Sequence, residues 1–199
     1  MYTLLLLLIY LAFISLGLPD SLLGSAWPVM HKAFQVPLSY AGLVTMIISG
    51  GTICSSLMSE RLTKKFGTQI VTVFSVMLTA IALFGFSTAS AFWMLCLWAV
   101  PYGLGAGAID ATLNNYVALH YNSRHMSWLH CFWGLGTIIS PYVMSYALTT
   151  SVWQNGYRMV SFIQIGIALI LFVTLPIWKV NKKETAQEEK AEEEMVGIK

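Results

Sequence analysis

Two aspartates stand in stretches that hold almost no other charge. Asp20 lies in Gly17-Leu18-Pro19-Asp20-Ser21-Leu22-Leu23, and Asp110 lies in Gly107-Ala108-Ile109-Asp110-Ala111-Thr112-Leu113. Both fit the pattern G-x-x-D-[SA]-x-L, 90 positions apart. An aspartate at mid-membrane costs roughly 2.5–3.5 kcal/mol on insertion scales, so two of them in apolar sequence need a task. They could line a watered cavity, exchange protons, hydrogen-bond a polar solute or pair with a cation. No Lys or Arg lies in the same apolar stretches, so a permanent internal ion pair has no candidate partner. The structural alternative is a carboxyl that caps a broken helix end beside Pro19 or the glycine-rich run.

His130 is the next candidate. Gly134, Thr137 and Pro141 follow it at i+4, i+7 and i+11, on one face of a helix. Such a histidine can contact a solute, relay a proton or simply hydrogen-bond a carbonyl. Asn114 stands one turn beyond Asp110, facing the same cavity or serving as interhelical glue. Trp133 offers a flat face on which a sugar ring could stack. Trp93, Trp98, Trp153 and Trp178 sit near the ends of apolar stretches and read as an interface belt. Gly103, Gly105 and Gly107 read as packing positions. Cys54, Cys96 and Cys131 are scattered without metal-ligand spacing and read as small buried hydrophobes. No nucleophile with its base and no phosphate-cradling loop is found, so no catalytic residue, metal or cofactor is expected, and an enzyme is not.

The elements that must hold these residues follow from composition. The chain has 199 residues, 57% hydrophobic and only 10% charged, with a mean hydropathy of +0.69. Soluble domains carry about 25% charged residues, so a water-solvated core is excluded. A net charge of +2 offers nothing to nucleic acid. Apolar stretches of about 20 residues predict membrane spans. Six are found: Leu4–Met30, Ser39–Met58, Thr68–Ser87, Phe92–Leu119, Trp128–Thr150 and Met159–Trp178. The breaks fall at His31–Leu38, Ser59–Gly67, Thr88–Ala91, His120–Ser127 and Ser151–Arg158. The first run lacks a basic flank and a small-residue cleavage site, so it reads as a retained span. Alternating β periodicity is absent, so the spans are helical, and the fold class is an all-α membrane protein.

Arg61, Lys64, Lys65, Arg124, Lys179, Lys182 and Lys183 fall on one side of this layout, against Lys32 and Arg158 on the other. That asymmetry puts both termini in the cytoplasm of a cell-membrane protein. After residue 180 the composition turns charged, with Glu184, Glu188, Glu189, Glu192, Glu193 and Glu194. Residues 1–180 are therefore read as the six-span bundle and 181–199 as a charged cytoplasmic tail. The second and fifth spans echo each other more weakly, in Gly51-Thr52-Ile53-x-Ser55 and Gly136-Thr137-Ile138-x-Ser140. Two such triplets cross the membrane in opposite senses. This predicts a 3+3 inverted repeat, a pattern typical of secondary transporters, with both carboxylates near the midplane.

Ser56-Leu-Met-Ser-Glu60-Arg61-Leu-Thr63-Lys64-Lys65 resembles the G-x-x-x-D-R-x-G-R-R loop signature of the major facilitator superfamily, with Ser56 and Thr63 in place of glycines and Glu60 in place of Asp. Gly103 to Asn114, and Leu129-His130-Cys-Phe132-Trp-Gly134-Leu-Gly136 with Pro141, resemble the sugar/proton symporter branch typified by the L-fucose permease. The resemblance implies one six-span half of a twelve-span fold, and proton-coupling or solute-binding roles for Asp20 and Asp110. It places His130 at a sugar-contacting position, and it makes 181–199 similar to the start of a central linker. The chain is then a truncated amino-terminal half, or a half-size transporter completed by a second copy or a separate carboxy-terminal half. The partners expected are a small polar solute such as a sugar, protons, the lipid bilayer and a second six-span bundle. Two alternatives stay open at this point: half of a multidrug-type exporter, and a non-transporting membrane scaffold subunit.

Overall fold

The computed structural model describes residues 2–176 and 178, so the charged segment 181–199 lies outside the described residues. Among the described residues seven helices follow in order: α1 (Tyr2–Asp20), α2 (Leu22–Ala33), α3 (Tyr40–Phe66), α4 (Thr68–Thr88), α5 (Phe92–His120), α6 (Ser123–Thr150) and α7 (Trp153–Val173). Counting α1 and α2 together as Thr3–Ala33, six of these units are long and apolar enough to cross a membrane.

Several predicted boundaries shift. The first span is not one helix but two, parted at Ser21 just past Pro19. Proline lacks the N–H that would bond the carbonyl of Ser15 four residues back, and the chain breaks two residues later. The break expected at Ser59–Gly67 is helical through Phe66, and Gly67 alone separates α3 from α4, at φ 88°. Polar residues mark where a helix leaves lipid, not where it ends; Glu60 and Lys64 pair along this last stretch at 2.6 Å. Helix α6 likewise starts at Ser123 and α7 at Trp153, both before their predicted spans. Arg158 therefore sits exposed in the second turn of α7.

Helix α1 packs on α6, α5 packs on α3 and α4, and α4 packs on α7. Glycines make these approaches possible. A Cβ on Gly17 would strike the backbone of Trp133, and one on Gly136 would strike that of Ile14 and Leu18. On the other side, Gly103 meets the backbone of Ile48 and Gly107 that of Thr52. The core runs in two clusters, one around Phe13, Ile109 and Leu113 and one around Trp27, Leu83, Tyr102 and Tyr157. By contrast, α3 and α6 leave most of their surface uncovered, with Met46, Leu57, Ile138 and Tyr142 all exposed.

Two sequence readings are corrected here. Cys54 and Cys131 are exposed and Cys96 is half-buried, because they lie on the outward sides of α3, α6 and α5. In a membrane, apolar sequence does not imply an interior position. Trp153 and Trp178 are each only 4% exposed, so they are core and not belt. Trp153 packs edge-on against Tyr157 and Phe34. Trp93, 65% exposed, keeps the outward position expected of a belt residue.

Candidate functional site

A half-open chamber of about 310 Å³ lies between four helices. Helix α1 supplies Phe13, Leu16 and Asp20, and α5 supplies Tyr102, Ala106 and Asp110. Ile48 and Thr52 of α3 and His130 and Trp133 of α6 complete the wall. Asp20 is the last residue of α1 and Asp110 lies past the middle of α5, so an end and an interior position meet in one space.

The carboxylate of Asp20 takes two hydrogen bonds. Tyr102 donates its hydroxyl to Oδ1 at 3.0 Å, and Trp133 donates its indole Nε1–H to Oδ2 at 2.9 Å. Both donors are side chains of other helices, and among the described residues no backbone N–H of a helix end is bonded to either oxygen. Asp110 Oδ1 accepts from Asn114 Nδ2 at 2.9 Å, along one turn of α5. Asn114 does not line the chamber; it reaches it through Asp110, and its own Oδ1 is buried without a protein partner. A carboxylate that keeps free lone pairs beside fixed donors can accept a proton or the hydroxyls of a polar solute.

His130 is exposed at the chamber wall and meets Phe13 edge-on, ring centroids 6.2 Å apart. Of the face predicted with it, Gly134 borders open space, and Thr137 turns its hydroxyl to the carbonyl of Gly134. The chamber face of α6 is therefore His130 with Trp133. Trp133 is 38% exposed, so part of its ring is free for contact. Glu60, Arg61, Lys64 and Lys65 lie far from this chamber on the last two turns of α3, on a helix where a loop was expected.

Sequence reasoning missed Tyr102 and Gln164. Tyr102 is 4% exposed and lies two turns before Asp110 on the same helix, a spacing that could have singled it out. Gln164 is a lone amide in an apolar run, itself a signal. It is 1% exposed: its Nε2 donates to the carbonyl of Ser15, and its Oε1 accepts from Thr79 Oγ1 at 3.0 Å. Among the described residues no group of three or more metal-ligating side chains occurs.

Six membrane-capable units describe a polytopic bundle, and the comparisons with known proteins agree with that fold. The family model of the Major Facilitator Superfamily matches residues 9–198, and the chain belongs to that family. Its all-helical bundle of six membrane-capable units corresponds to one half of that fold. It is similar to the Bypass of stop codon protein 6 of Saccharomyces cerevisiae, 24% identical over 163 residues, or 80% of this chain and 33% of the relative. It is also similar to the Glucose/mannose transporter GlcP of Bacillus subtilis, 22% identical over 182 residues, or 89% of this chain and 44% of that protein. The chain thus spans less than half the length of these curated relatives.

Proposed function

We propose that this chain is a six-span half of a secondary active transporter that moves a small polar solute, a sugar, by proton-coupled alternating access. The observation that carries the reading is the pair Asp20 and Asp110, drawn from matching motifs and facing one chamber beside His130 and Trp133. The similarity to a glucose/mannose transporter supports the sugar, and the aromatic–carboxylate pairing of Trp133 with Asp20 suits a ligand that offers a ring face and hydroxyls. A large apolar drug fits less well, since two carboxylates line the chamber.

The reading also takes α1–α4 and α5–α7 as an inverted repeat, which the spacing of paired residues supports. Chamber residues pair across it: Asp20 with Asp110 and Leu16 with Ala106 are each 90 positions apart, and Ile48 with Trp133 follows the spacing of Gly51 and Gly136. Thr79 and Gln164 share that second spacing and touch each other, as expected of residues next to a pseudo-two-fold axis. Their neighbours match too, since Gln164 bonds Ser15 while Thr79 packs on Gly105, again 90 apart.

In this reading a second six-span bundle, from a second copy or a carboxy-terminal half, closes the open side, and both chain ends lie in the cytoplasm. Rocking of one bundle against the other exposes the site alternately to each side. A neutral carboxyl is cheaper than a charged one in a closed, dry cavity, so protonation of Asp20 or Asp110 favours one facing over another. The test is uptake of labelled hexoses into proteoliposomes under an imposed proton gradient, with protein in which both bundles are present. Asp110→Asn should abolish uphill accumulation and spare counterflow exchange. Unchanged accumulation in that variant sinks the coupling role.

A further inference from the structure

Asp20 also borders a second, smaller space of about 180 Å³, walled by Tyr102, Tyr157, Thr45, Leu83 and Phe86. The two chambers share Asp20, Ile48 and Tyr102, whereas Trp133 and His130 belong to the larger one alone. Tyr157 is 2% exposed, and its hydroxyl is buried without a partner. Buried polar groups are satisfied by protein or by ordered water, and a water needs roughly 10–15 Å³ of probe-occupied volume and about 2–4 polar partners. The chamber offers many times that volume.

Its polar groups also fit water in kind. The Tyr102 hydroxyl is committed to Asp20 Oδ1, and the Thr45 hydroxyl to the carbonyl of Ala41 at 3.0 Å, so both have only acceptor capacity left. Asp20 as a carboxylate is acceptor-only, while Tyr157 has a hydrogen to give. A molecule seated here must accept from Tyr157 and donate to Asp20, Tyr102 or Thr45. Water does both.

We propose that this second chamber is a water-filled proton port for Asp20, separate from the solute chamber. A hydronium in the port gives its proton to a carboxylate oxygen of Asp20, leaving a water molecule and a neutral carboxylic acid; the return step reverses this. The titratable groups facing Asp20 are Asp110 and His130 across the larger chamber, and Tyr102 and Tyr157 at the port. Proton and solute then reach the same residue by different sides, so a bound solute does not block the proton's path. The port deepens the proposed transport function, on whose view of Asp20 it rests; its hydration does not depend on that view.

Hydroxyl-radical labelling of the intact protein in lipid nanodiscs, read by mass spectrometry, tests the water. Tyr157 should label about tenfold faster than Trp153, which is similarly buried but lines neither chamber, since a buried ring reacts where water lies against it. Thr45→Leu, which sets an apolar group in the port wall, should bring Tyr157 down to the Trp153 rate. Equal rates in the unaltered protein overturn the port. The proton step is followed by the infrared carbonyl band of protonated Asp20 after a rapid pH jump, the band being assigned by its loss in Asp20→Asn. Tyr157→Phe keeps the ring against Trp153 and Phe86 and should slow that band's rise about tenfold. An unchanged rise overturns the port's role even with water present. Neither measurement uses a solute, so a failure of the transport reading would show separately, in uptake.

Discussion

Asp20 is held by two donors that differ in burial, and the difference decides what each does. Tyr102 is buried, 4% exposed, whereas Trp133 stands at the open wall of the larger chamber. Removing the Tyr102 hydroxyl takes from Asp20 Oδ1 a charge-assisted hydrogen bond whose donor is held fixed by the surrounding core. Tyr102→Phe should therefore lower stability by about 1–3 kcal/mol, read by thermal unfolding in detergent. Trp133→Phe keeps a ring at the wall, and solvent or solute can replace the lost donor. We expect little change in unfolding but weaker solute binding, measured by calorimetric titration on the assembled transporter. If Trp133→Phe destabilises as much as Tyr102→Phe, the indole is structural and its place in the solute site falls.

At the scale of elements, Pro19 and Gln164 are one device. Proline leaves the Ser15 carbonyl without its helical donor, and Gln164 of α7 supplies one from across the bundle while Thr79 of α4 fixes the amide's other end. Helices α4 and α7 are thereby tied to the end of α1 that leads to Asp20. Gln164→Leu should cost about 1–3 kcal/mol, because a buried carbonyl loses its partner. In a Pro19→Ala background the N–H of residue 19 serves Ser15, so the same substitution should cost less. A double-mutant cycle on unfolding free energies that shows additivity would refute the device. The glycines give a second contrast. Gly136 presses on the backbone of Ile14 and Leu18, while Gly134 borders open space. Gly136→Ala should destabilise by about 1–3 kcal/mol through overpacking, and Gly134→Ala by far less, in the same unfolding assay.

These elements also mark how far the sequence could be read. Hydropathy located all six spans, because lipid demands about 20 apolar residues in a row. It could not find helix ends, since a helix such as α3 continues past the membrane through Glu60, Arg61 and Lys64 to Phe66. Polar residues in apolar runs pointed to Asp20, Asp110, Asn114 and His130, and an aromatic face to Trp133; all but Asn114 line one chamber. Tyr102 and Tyr157 were harder to read because tyrosine is ordinary at membrane interfaces, and tertiary packing sets the Tyr102 hydroxyl on Asp20 and Tyr157 in the wall of the smaller space. Exposure of Cys54 and Cys131 was hidden for a related reason: with little amphipathic contrast along α3 and α6, no pattern says which side faces the bundle.

For the whole molecule, the distribution of burial supports the proposal of a second bundle. Helices α1 and α4 are well covered, whereas α3 and α6, which flank the chamber, are bare over most of their length. Lipid can cover apolar side chains such as Leu57 and Ile138, but it cannot satisfy the carboxylates of Asp20 and Asp110 behind them. A second polar-lined bundle against this side would close the chamber and let it open alternately to either face of the membrane. Native mass spectrometry of the 22.1 kDa chain from nanodiscs measures this directly. We expect saturable hexose binding to accompany only species that contain two bundles, either a homodimer or this chain with a separate half. On that proposal the monomer should bind no hexose, because one bundle leaves the chamber half-open. A monomer that binds and transports alone would require the half-open chamber to be complete as it stands, and the two-bundle mechanism would then be wrong.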